Sequence, residues 1–544
     1  MRANPGTMLI MTFLCLLPAH AWAGRYESFT KKAEAGSKMN LVASASFGEQ
    51  GFYDFVSGGQ LDDGTIVAFG NAWGPAFPRT PAPLVLGRGH HQALDPFLPG
   101  PKHKTPVLRS DDPDAAGVIV FYSADLAKVR KVVRFDWGVA SLSAGIVLPG
   151  RQGLLIAGRC TPRFADAMRS RLHREPVPAD TSTGPYEYGG VKLPGDVFVA
   201  MLPASGDGVL WAIVFEGARV PPQQLWLDYE LNIYADIRGM VRIAPTGYRV
   251  TRIDTAIETS DGRSHSRNYT ANRSAAYLCV DPREGSFYYG GDRPAYTGYE
   301  PWHQPYLYKF SSDGHRSDKL WDWPAKDVAT GGDGIGLCAD STVTSMDVAP
   351  DGSLVIGGWS IGGNSVFFRQ PQTLDRRVRL TGFGMETADE RAGTSTGYLM
   401  RFDPKKHRVI DGTLFQAYIP ADSTDKRHRG EPNSIRIRQV KTLPDGSVAF
   451  CGTAAAGLIQ TPNAISFPIA KGQSQSGEFL AVFSPDFQTL LYSSYLPGIE
   501  NEHVQAVADG LILTARYEQG PAQHDRGSAR SSQGRMFWLR LPTR

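Results

Sequence analysis

Short apolar runs separated by turn-forming residues constrain this chain most, and residues 435–498 show the pattern most clearly. The stretch contains four such runs, at 435–442, 447–451, 478–483 and 489–495. Pro444-Asp445-Gly446 separates the first two runs, and Ser484-Pro485-Asp486 separates the last two. Apolar runs this short, bounded by Gly, Pro and Asp, are typical of β-strands joined by tight turns. The stretch therefore predicts one small antiparallel sheet of four strands.

Weaker copies of this unit recur along the chain, each marked by a turn that leads into an apolar run. Gly accepts positive φ at little steric cost, and Asp can hydrogen-bond nearby backbone amides, so an Asp-Gly pair reverses the chain between two strands. The runs after the turns lie at 65–71, 154–160, 232–239, 286–291, 353–360, 447–453 and 511–517. A third run follows in every copy, at 117–123, 195–203, 239–245, 305–311, 397–404, 477–485 and 534–542. A fourth run follows in the first six copies, so the chain predicts seven small sheets.

The seventh copy lacks its fourth strand, whereas residues 39–47 form an apolar segment with no partner of its own. Pairing the two would close a ring and remove the sheet edges that an open array exposes. The sequence thus predicts an all-β fold, a seven-bladed β-propeller closed by an N-terminal strand in the last blade. The expected blades are at about 52–137, 138–216, 223–254, 275–323, 342–416, 435–498 and 503–541 plus 39–47. An open β-solenoid is the alternative.

Residues 435–498 resemble the bacterial SBBP-type β-propeller repeat. The shared features are the Asp-Gly turn, Gly-Thr after the second strand, Phe467-Pro468 in the next loop, and Ser493 to Leu496 followed by Gly498. The likeness is good over this blade, moderate for 342–416 and degenerate elsewhere. It implies a propeller fold in an extracytoplasmic setting, and it carries over no catalytic residues.

The first 23 residues have the features of a secretory signal peptide. Arg2 supplies a positive charge, residues 8–17 are apolar, and Ala21-Trp22-Ala23 fits a cleavage site before Gly24. Ten apolar residues are too few for a bilayer span, which needs roughly 20. We expect a signal peptide at 1–23 and a single propeller at 24–544, secreted or periplasmic, where it could be associated with the cell surface. No membrane span is expected after cleavage.

Charge and cysteine content narrow the function classes. The formal net charge is +3, and no dense basic patch of the kind that nucleic acid requires is found. Without Cys15, the chain retains Cys160, Cys279, Cys338 and Cys451, which permit three pairings or four free thiols. No CxxC motif occurs, so the sequence supports neither a zinc ribbon nor a covalently attached haem.

The connections between the second and third strands differ most in length. They span 72–116, 161–194, 292–304, 361–396, 454–476 and 518–533, and all would emerge at one end of the blades, around the channel mouth. One short loop in this set concentrates aromatic and polar residues, and its candidate ligand-binding residues are Tyr296, Tyr299, Glu300, Trp302 and His303. They could form a platform for a sugar or a peptide. The alternative is that these rings only pack the loop down.

Three further candidate ligand-binding residues, His90, Arg159 and Arg293, lie near the same predicted mouth. Arg159 and Arg293, with Arg163 and Arg369, could form a ring for an anionic ligand, or could be solvated charges at strand ends. His90-His91 and the cluster Asp111, Asp112 and Asp114 lack the spacing of a metal site, so no metal and no cofactor are expected.

No catalytic motif is present: G-x-S-x-G and a phosphate-binding glycine loop are both absent. The leading hypothesis is a binding or scaffold module whose partner is an unknown protein or glycan. The alternative is a lyase or hydrolase acting on an extracellular polymer through His303, Glu300, His90 and Arg159. A third hypothesis is a surface protein in which the propeller acts only as a spacer.

Overall fold

A computed structural model of the protein describes most of the predicted strands. The described residues are 19–36, 39–47, 52–73, 84–86, 116–135, 139–151, 153–160, 172–176, 187–188, 191–192, 196–216, 218, 221–237, 239–247, 249–253, 257–258, 264–265, 278–296, 301–314, 316–321, 340–361, 370, 381–383, 394–419, 431–465, 476–496, 498–518 and 532–540.

The described strands form seven principal sheets, which are the blades of the propeller. The first described elements are helix α1 (Ala19–Gly36) and strand β1 (Asn40–Phe47). Blade 1 contains β2 (Phe52–Gln60), β3 (Ile66–Trp73), β4 (Leu84–Leu86), β5 (Ala116–Tyr122) and β6 (Val129–Phe135). Blade 2 contains β7 (Val139–Leu148), β8 (Gly153–Cys160), β9 (Leu172–Pro176), β12 (Asp196–Leu202) and β13 (Trp211–Glu216), and a separate hairpin pairs β10 (Glu187–Tyr188) with β11 (Val191–Lys192).

Blade 3 contains β14 (Leu225–Leu227), β15 (Ile233–Asp236), β16 (Met240–Ile243) and β17 (Val250–Arg252), followed by a hairpin of β18 (Ile257–Glu258) and β19 (Ser264–His265). Blade 4 contains β20 (Leu278–Val280), β21 (Phe287–Tyr296), β22 (Pro301–Phe310) and β23 (Arg316–Trp321). Blade 5 contains β24 (Ser341–Val348), β25 (Leu354–Ile361), β26 (Thr381–Phe383), β27 (Ser395–Asp403) and β28 (Arg408–Phe415), followed by a hairpin of β29 (Ala417–Tyr418) and β30 (Pro432–Asn433).

Blade 6 contains β31 (Ile435–Thr442), β32 (Val448–Ala454), β33 (Gly477–Phe483) and β34 (Leu490–Tyr495). Blade 7 contains β35 (Ile499–Val507), β36 (Gly510–Glu518) and β37 (Ser532–Arg540), and β1 is its fourth strand. In each blade the first strand lies at one edge, and first strands of consecutive blades contact one another around the whole circle. The predicted seven-bladed propeller is confirmed.

The hydrophobic core is divided among the interfaces between blades. Seven clusters of buried residues are found, and each draws its side chains chiefly from two neighbouring blades. One cluster joins blades 7 and 1 through Phe47, Phe55, Ile66, Ile512 and Met536. Because the last blade packs on the first, the ring is closed and the open solenoid is excluded.

Ring closure uses the predicted N-terminal segment. Strand β1 pairs antiparallel with β37, from Asn40 opposite Arg540 to Phe47 opposite Gly534. Phe47 is 3% exposed and stacks on Phe55 of blade 1, with ring centroids 6.0 Å apart. The closing strand therefore completes the sheet of blade 7 and adds to the interface with blade 1.

The turn between the first and second strands is built as its residues predict. Gly64, Gly352 and Gly446 have φ of 81°, 85° and 84°. One residue before each Gly, an Asp Oδ1 accepts a hydrogen bond at 2.9 Å from the backbone N–H of Thr65, Ser353 and Ser447, respectively. Each Asp thus satisfies an N–H that the strand ladder leaves unpaired, while Gly supplies the left-handed conformation.

Glycine in the second strand has a different role, which is close approach to the first strand. A Cβ on Gly70, Gly158, Gly358 or Gly452 would lie 2.2, 1.9, 2.1 or 2.0 Å from a backbone carbonyl oxygen of the first strand. At each of these positions the first strand has a β-bulge, for example between Ile437 and Gln439 in blade 6. A bulge presses the backbone of one strand toward its partner, and here only Gly leaves room for it.

Helix α1 was not predicted from the sequence. It spans both sides of the expected cleavage position between Ala23 and Gly24 and packs on blade 6. Phe29 lies 5.6 Å from the ring of Tyr418, and Ala33 is fully buried. Among the described residues, no helix is both long and apolar enough to cross a membrane.

The longest insertions do not lie only around the channel mouth, as the sequence led us to expect. Those of blades 1, 2 and 5 each contribute a short strand, β4, β9 or β26, to the edge of their own blade. Each pairs in parallel with the fourth strand, β6, β13 or β28. Part of this variable material therefore covers an outer sheet edge, where unpaired N–H and C=O groups would otherwise be exposed.

Candidate functional site

The two ends of the ring differ in the connections that they carry. The insertion end is the end of each blade where its second strand stops and its third begins. The turn end is the opposite one, where the Asp-Gly turns lie.

Blade 4 carries a two-stranded extension at its insertion end, which we call the blade 4 ribbon. It consists of residues 292–296 of β21 paired with residues 301–305 of β22. The neighbouring strands stop earlier: β20 reaches only Tyr289, and β23 reaches only Leu307. At about 3.3 Å per residue, the ribbon is roughly 15 Å long.

The ribbon corrects the sequence-based expectation of a loop over residues 292–304. Arg293 pairs with Gln304, Tyr296 pairs with Pro301, and Trp302 and His303 also lie on the paired strands. Residues 297–300, which include Tyr299 and Glu300, lie outside the described residues, as does His90. The third apolar run identified from the sequence begins only at Pro305, because the strand preference of the aromatic residues before it was not taken into account.

The base of the ribbon is held by aromatic packing and by blade 5. Tyr289 and Tyr306 stack with ring centroids 6.3 Å apart, and Phe287 stacks on Phe310 at 5.1 Å. Asp292 Oδ1 accepts a hydrogen bond from Thr342 Oγ1 of blade 5 at 2.9 Å. A well-packed base fixes the direction in which the ribbon leaves the sheet.

Arg159 differs from the expected solvated or ligand-facing charge at a strand end. It lies on β8 of blade 2 and is only 6% exposed. Arg163 and Arg369 lie outside the described residues, so the proposed arginine ring remains a prediction. Arg159 and His303 belong to blades 2 and 4, with blade 3 between them.

The polar cluster that lies between blades 6 and 7 was not predicted from the sequence. Arg438 occupies the bulge of β31, and its Nη2 donates hydrogen bonds to Glu478 of β33 and to Glu502 of β35. Exposure of the side chains falls from 46% for Arg438 to 14% for Glu478 and 1% for Glu502. The three residues lie on three different strands and span 64 positions of the chain, so no local sequence motif links them.

Gln439 joins the two blades beside this cluster. Its Oε1 accepts a hydrogen bond from Val504 N at 2.9 Å, and its Nε2 donates to Val504 O at 3.3 Å. Burial and the nearby Glu502 carboxylate raise the pKa of Cys451 well above its usual value. The thiol therefore stays protonated, which makes it a poor nucleophile.

His503 lies next to Glu502 on the same strand. Burial and the Arg438 guanidinium lower the pKa of His503 to about 4. The imidazole is therefore neutral at pH 7 and adds no positive charge to the cluster.

This depressed pKa predicts a pH-dependent stability. The unfolded chain takes up the His503 proton near pH 6.5, whereas the folded protein takes it up only near pH 4. Protons thus favour the unfolded state between these values, and stability should fall as the pH drops, by at most about 1.4 kcal/mol per pH unit. Urea unfolding at several pH values, compared between wild type and His503→Gln, measures this contribution. If the free energy of unfolding changed equally with pH in the two proteins, the prediction would be contradicted.

Other groups with possible chemistry are dispersed. Among the described residues, no group of three or more His, Cys, Asp and Glu side chains could hold a metal ion. Cys279 and Cys451 are buried free thiols, Cys160 is buried, and Cys338 lies outside the described residues. His90-His91 and Asp111 to Asp114 also lie outside them.

A cavity of about 420 Å³ lies at the turn end rather than the insertion end. Gln60, Asp62, Val147, Gln505 and Asp509 contribute to its lining. It therefore lies among the first strands of blades 7, 1 and 2, at the opposite end from the blade 4 ribbon.

These features define the class of protein: a seven-bladed β-propeller with a two-stranded ribbon at one end of the ring. No family model matches the chain, and no curated protein matches it. The likeness of residues 435–498 to the SBBP-type repeat therefore remains a resemblance.

Several solved propeller structures are similar to this chain. One is the WD40 β-propeller domain of Doa1, with 10% identity, TM-score 0.37 and coverage of 92% of this chain and 96% of that chain. Another is a protein of unknown function from Dyadobacter fermentans, with 10% identity, TM-score 0.36 and coverage of 93% and 99%. A third is Chaetomium thermophilum Sqt1 bound to the N-terminus of ribosomal protein L10, with 8% identity, TM-score 0.36 and coverage of 92% and 99%. Similarities this low carry no information about ligand or activity.

Proposed function

We propose that the protein is a secreted or periplasmic β-propeller that acts as a binding module, with its insertion end as the binding surface. The blade 4 ribbon is the observation that carries this proposal. It places Arg293, Tyr296, Trp302 and His303 on a paired extension of the sheet rather than in an irregular loop. The partner is a protein or a glycan, and the signal-like segment at 1–23 supports export.

A strand-paired aromatic segment suits recognition because its backbone is already ordered, so less conformational entropy is lost when a ligand binds than with an irregular loop. Trp, Tyr and Arg are also the residues that most often contribute large shares of binding energy at interfaces. Pro294, Pro301 and Pro305 lie on the ribbon strands and lack the N–H that an added strand would need. Recognition through side chains is therefore favoured over addition of a partner strand.

The enzyme alternative gains no support from the described residues. Of its four candidates, Arg159 is buried, His90 and Glu300 lie outside the described residues, and His303 belongs to a different blade from Arg159. A binding role requires only the ribbon surface.

The proposal predicts that Trp302→Ala strongly reduces ligand-induced stabilisation. A ligand that binds only the folded protein raises its unfolding temperature, and losing one aromatic hot spot costs about 2 kcal/mol of binding, roughly a thirtyfold loss of affinity. Wild type and variant are compared by thermal shift against glycans, cell-wall fragments and extracytoplasmic protein fractions.

The matched control is Tyr229→Ala. Tyr229 is 74% exposed and lies in the first turn of blade 3, at the turn end. This variant should respond to the ligand as wild type does. Equal stabilisation of wild type and Trp302→Ala by the same ligand would refute the role of the ribbon.

A further inference from the structure

The turn between the first and second strands of blade 7 is shorter than the same turn in other blades. In blades 1 and 6, residues 61–65 and 443–447 connect the paired ends of these strands. In blade 7 the last pair is Val507 with Gly510, so only residues 508 and 509 lie between the strands. A shorter connection covers less of the ring, and the turn end is therefore more open at blade 7.

The turn-end cavity lies where this connection is short. Its lining includes Val507, Ala508 and Asp509 of blade 7, residues 58–62 of blade 1 and Val147 of blade 2. The cavity volume is about 420 Å³. Pockets for small molecules measure about 300–1,000 Å³, so there is room for one small ligand.

Two glutamine side chains in the lining are not used to hold the blades together. Gln60 and Gln505 are only partly buried, and within the described part of the chain neither side-chain amide makes a hydrogen bond. Gln439, by contrast, uses both of its amide groups to bridge blades 6 and 7. A carboxamide offers two donors and an acceptor. The amides of Gln60 and Gln505 are thus available to a ligand.

The charged groups of the lining are carboxylates. Among the residues that line the cavity, Asp62 and Asp509 carry charge, and no Lys or Arg is found. Asp62 is exposed, and Arg540 Nε, outside the lining, lies 3.2 Å from Asp509 Oδ2. An anionic ligand would face like charges here, whereas a hydroxyl group can donate to a carboxylate and accept from an amide. Several hydroxyl groups on one small molecule would therefore match this lining.

We propose that the turn-end cavity is a binding site for one neutral sugar unit, distinct from the blade 4 ribbon. The sugar hydroxyls accept hydrogen bonds from the amides of Gln60 and Gln505 and donate to the carboxylate of Asp62. The site lies at the opposite end of the ring from Trp302, so it does not depend on the function proposed for the ribbon.

The test is a calorimetric and thermal-shift titration of the full protein with D-glucose, D-galactose, D-mannose and N-acetyl-D-glucosamine. Sugars also stabilise proteins by exclusion from their surface, but that effect does not saturate. We expect saturable binding of at least one of the four, and binding about tenfold or more weaker for D-glucuronate, whose carboxylate meets Asp62 and Asp509. Absence of saturable binding by all four sugars, or equal binding of D-glucuronate, would overturn the proposal.

Gln505→Leu keeps the approximate size of the side chain and removes its amide. It should weaken sugar binding about tenfold, since the hydrogen bonds of that amide are lost. Gln60→Leu tests the same loss from blade 1 if Gln505→Leu does not fold.

The matched control is Gln488→Leu. Gln488 is an exposed glutamine at the turn end of blade 6, outside the cavity, and its amide already donates to Asp486 O at 3.2 Å. This variant and Trp302→Ala should bind the sugar as wild type does. Unchanged affinity in folded Gln505→Leu or Gln60→Leu, or loss of sugar binding in Trp302→Ala, would exclude the turn-end cavity as the site.

Discussion

Replacing Gly452 with alanine is expected to destabilise the propeller by about 3 kcal/mol or more. The added Cβ would lie 2.0 Å from Arg436 O and 3.0 Å from Arg438 N. Both atoms belong to the bulged backbone of β31, which is held between β32 and blade 5 and so cannot simply move away. Urea unfolding of wild type and variant measures the effect.

Gly150→Ala is the control for this prediction. Gly150 has a positive φ of 68°, but a Cβ there would meet nothing within 4 Å. Its substitution should cost only the strain of the left-handed conformation, about 1 kcal/mol. If both substitutions lowered the free energy of unfolding by the same small amount, close approach of the two strands would not explain why Gly is needed at position 452.

Removing residues 1–47 is expected to lower stability even more. Without β1, the edge of β37 is unpaired and the interface between blades 7 and 1 loses Phe47. Loss of one buried Phe alone costs about 3–5 kcal/mol. The exposed edge should also promote association, which analytical ultracentrifugation would detect alongside the lower unfolding temperature.

A synthetic peptide of residues 39–47 should restore much of this stability when added to the truncated protein. The peptide supplies the strand that pairs from Asn40 to Phe47, so it acts as a ligand of the folded state. A scrambled peptide of the same composition is the control, and Phe47→Ala in the peptide should weaken the rescue. A truncated protein as stable as the full chain would show that ring closure by β1 contributes little.

Much of the fold could be predicted because its signals are local. The Asp445-Gly446 turn and the apolar runs on either side of it specify a hairpin within fewer than twenty residues. Repetition of that signal predicts the number of blades, and the missing fourth strand in the last copy predicts closure by residues 39–47. These inferences hold because the four main strands of each blade pair in chain order, apart from the closing strand; the short edge strands β4, β9 and β26 are additions to this pattern.

Where the sequence misled, the signals were ambiguous or distant. The third apolar run at 305–311 left residues 292–304 as a loop, yet the aromatic residues Tyr296 and Trp302 continue the strands of blade 4 into the ribbon. Helix α1 begins within a segment that resembles a signal peptide, and packing of Phe29 on Tyr418 could not be foreseen from either residue. The strands β4, β9 and β26 have only a few residues each and are stabilised by the blades that they join.

By itself the sequence determined the strands, the turns and the order of the blades, because turn chemistry and alternation act over a few residues. Only the tertiary structure decided which side chains meet. Arg438, Glu478 and Glu502 come from three strands and two blades, and their spacing along the chain has no meaning until the ring is closed. Burying their charged groups costs desolvation free energy, and this cost arises only in the folded protein.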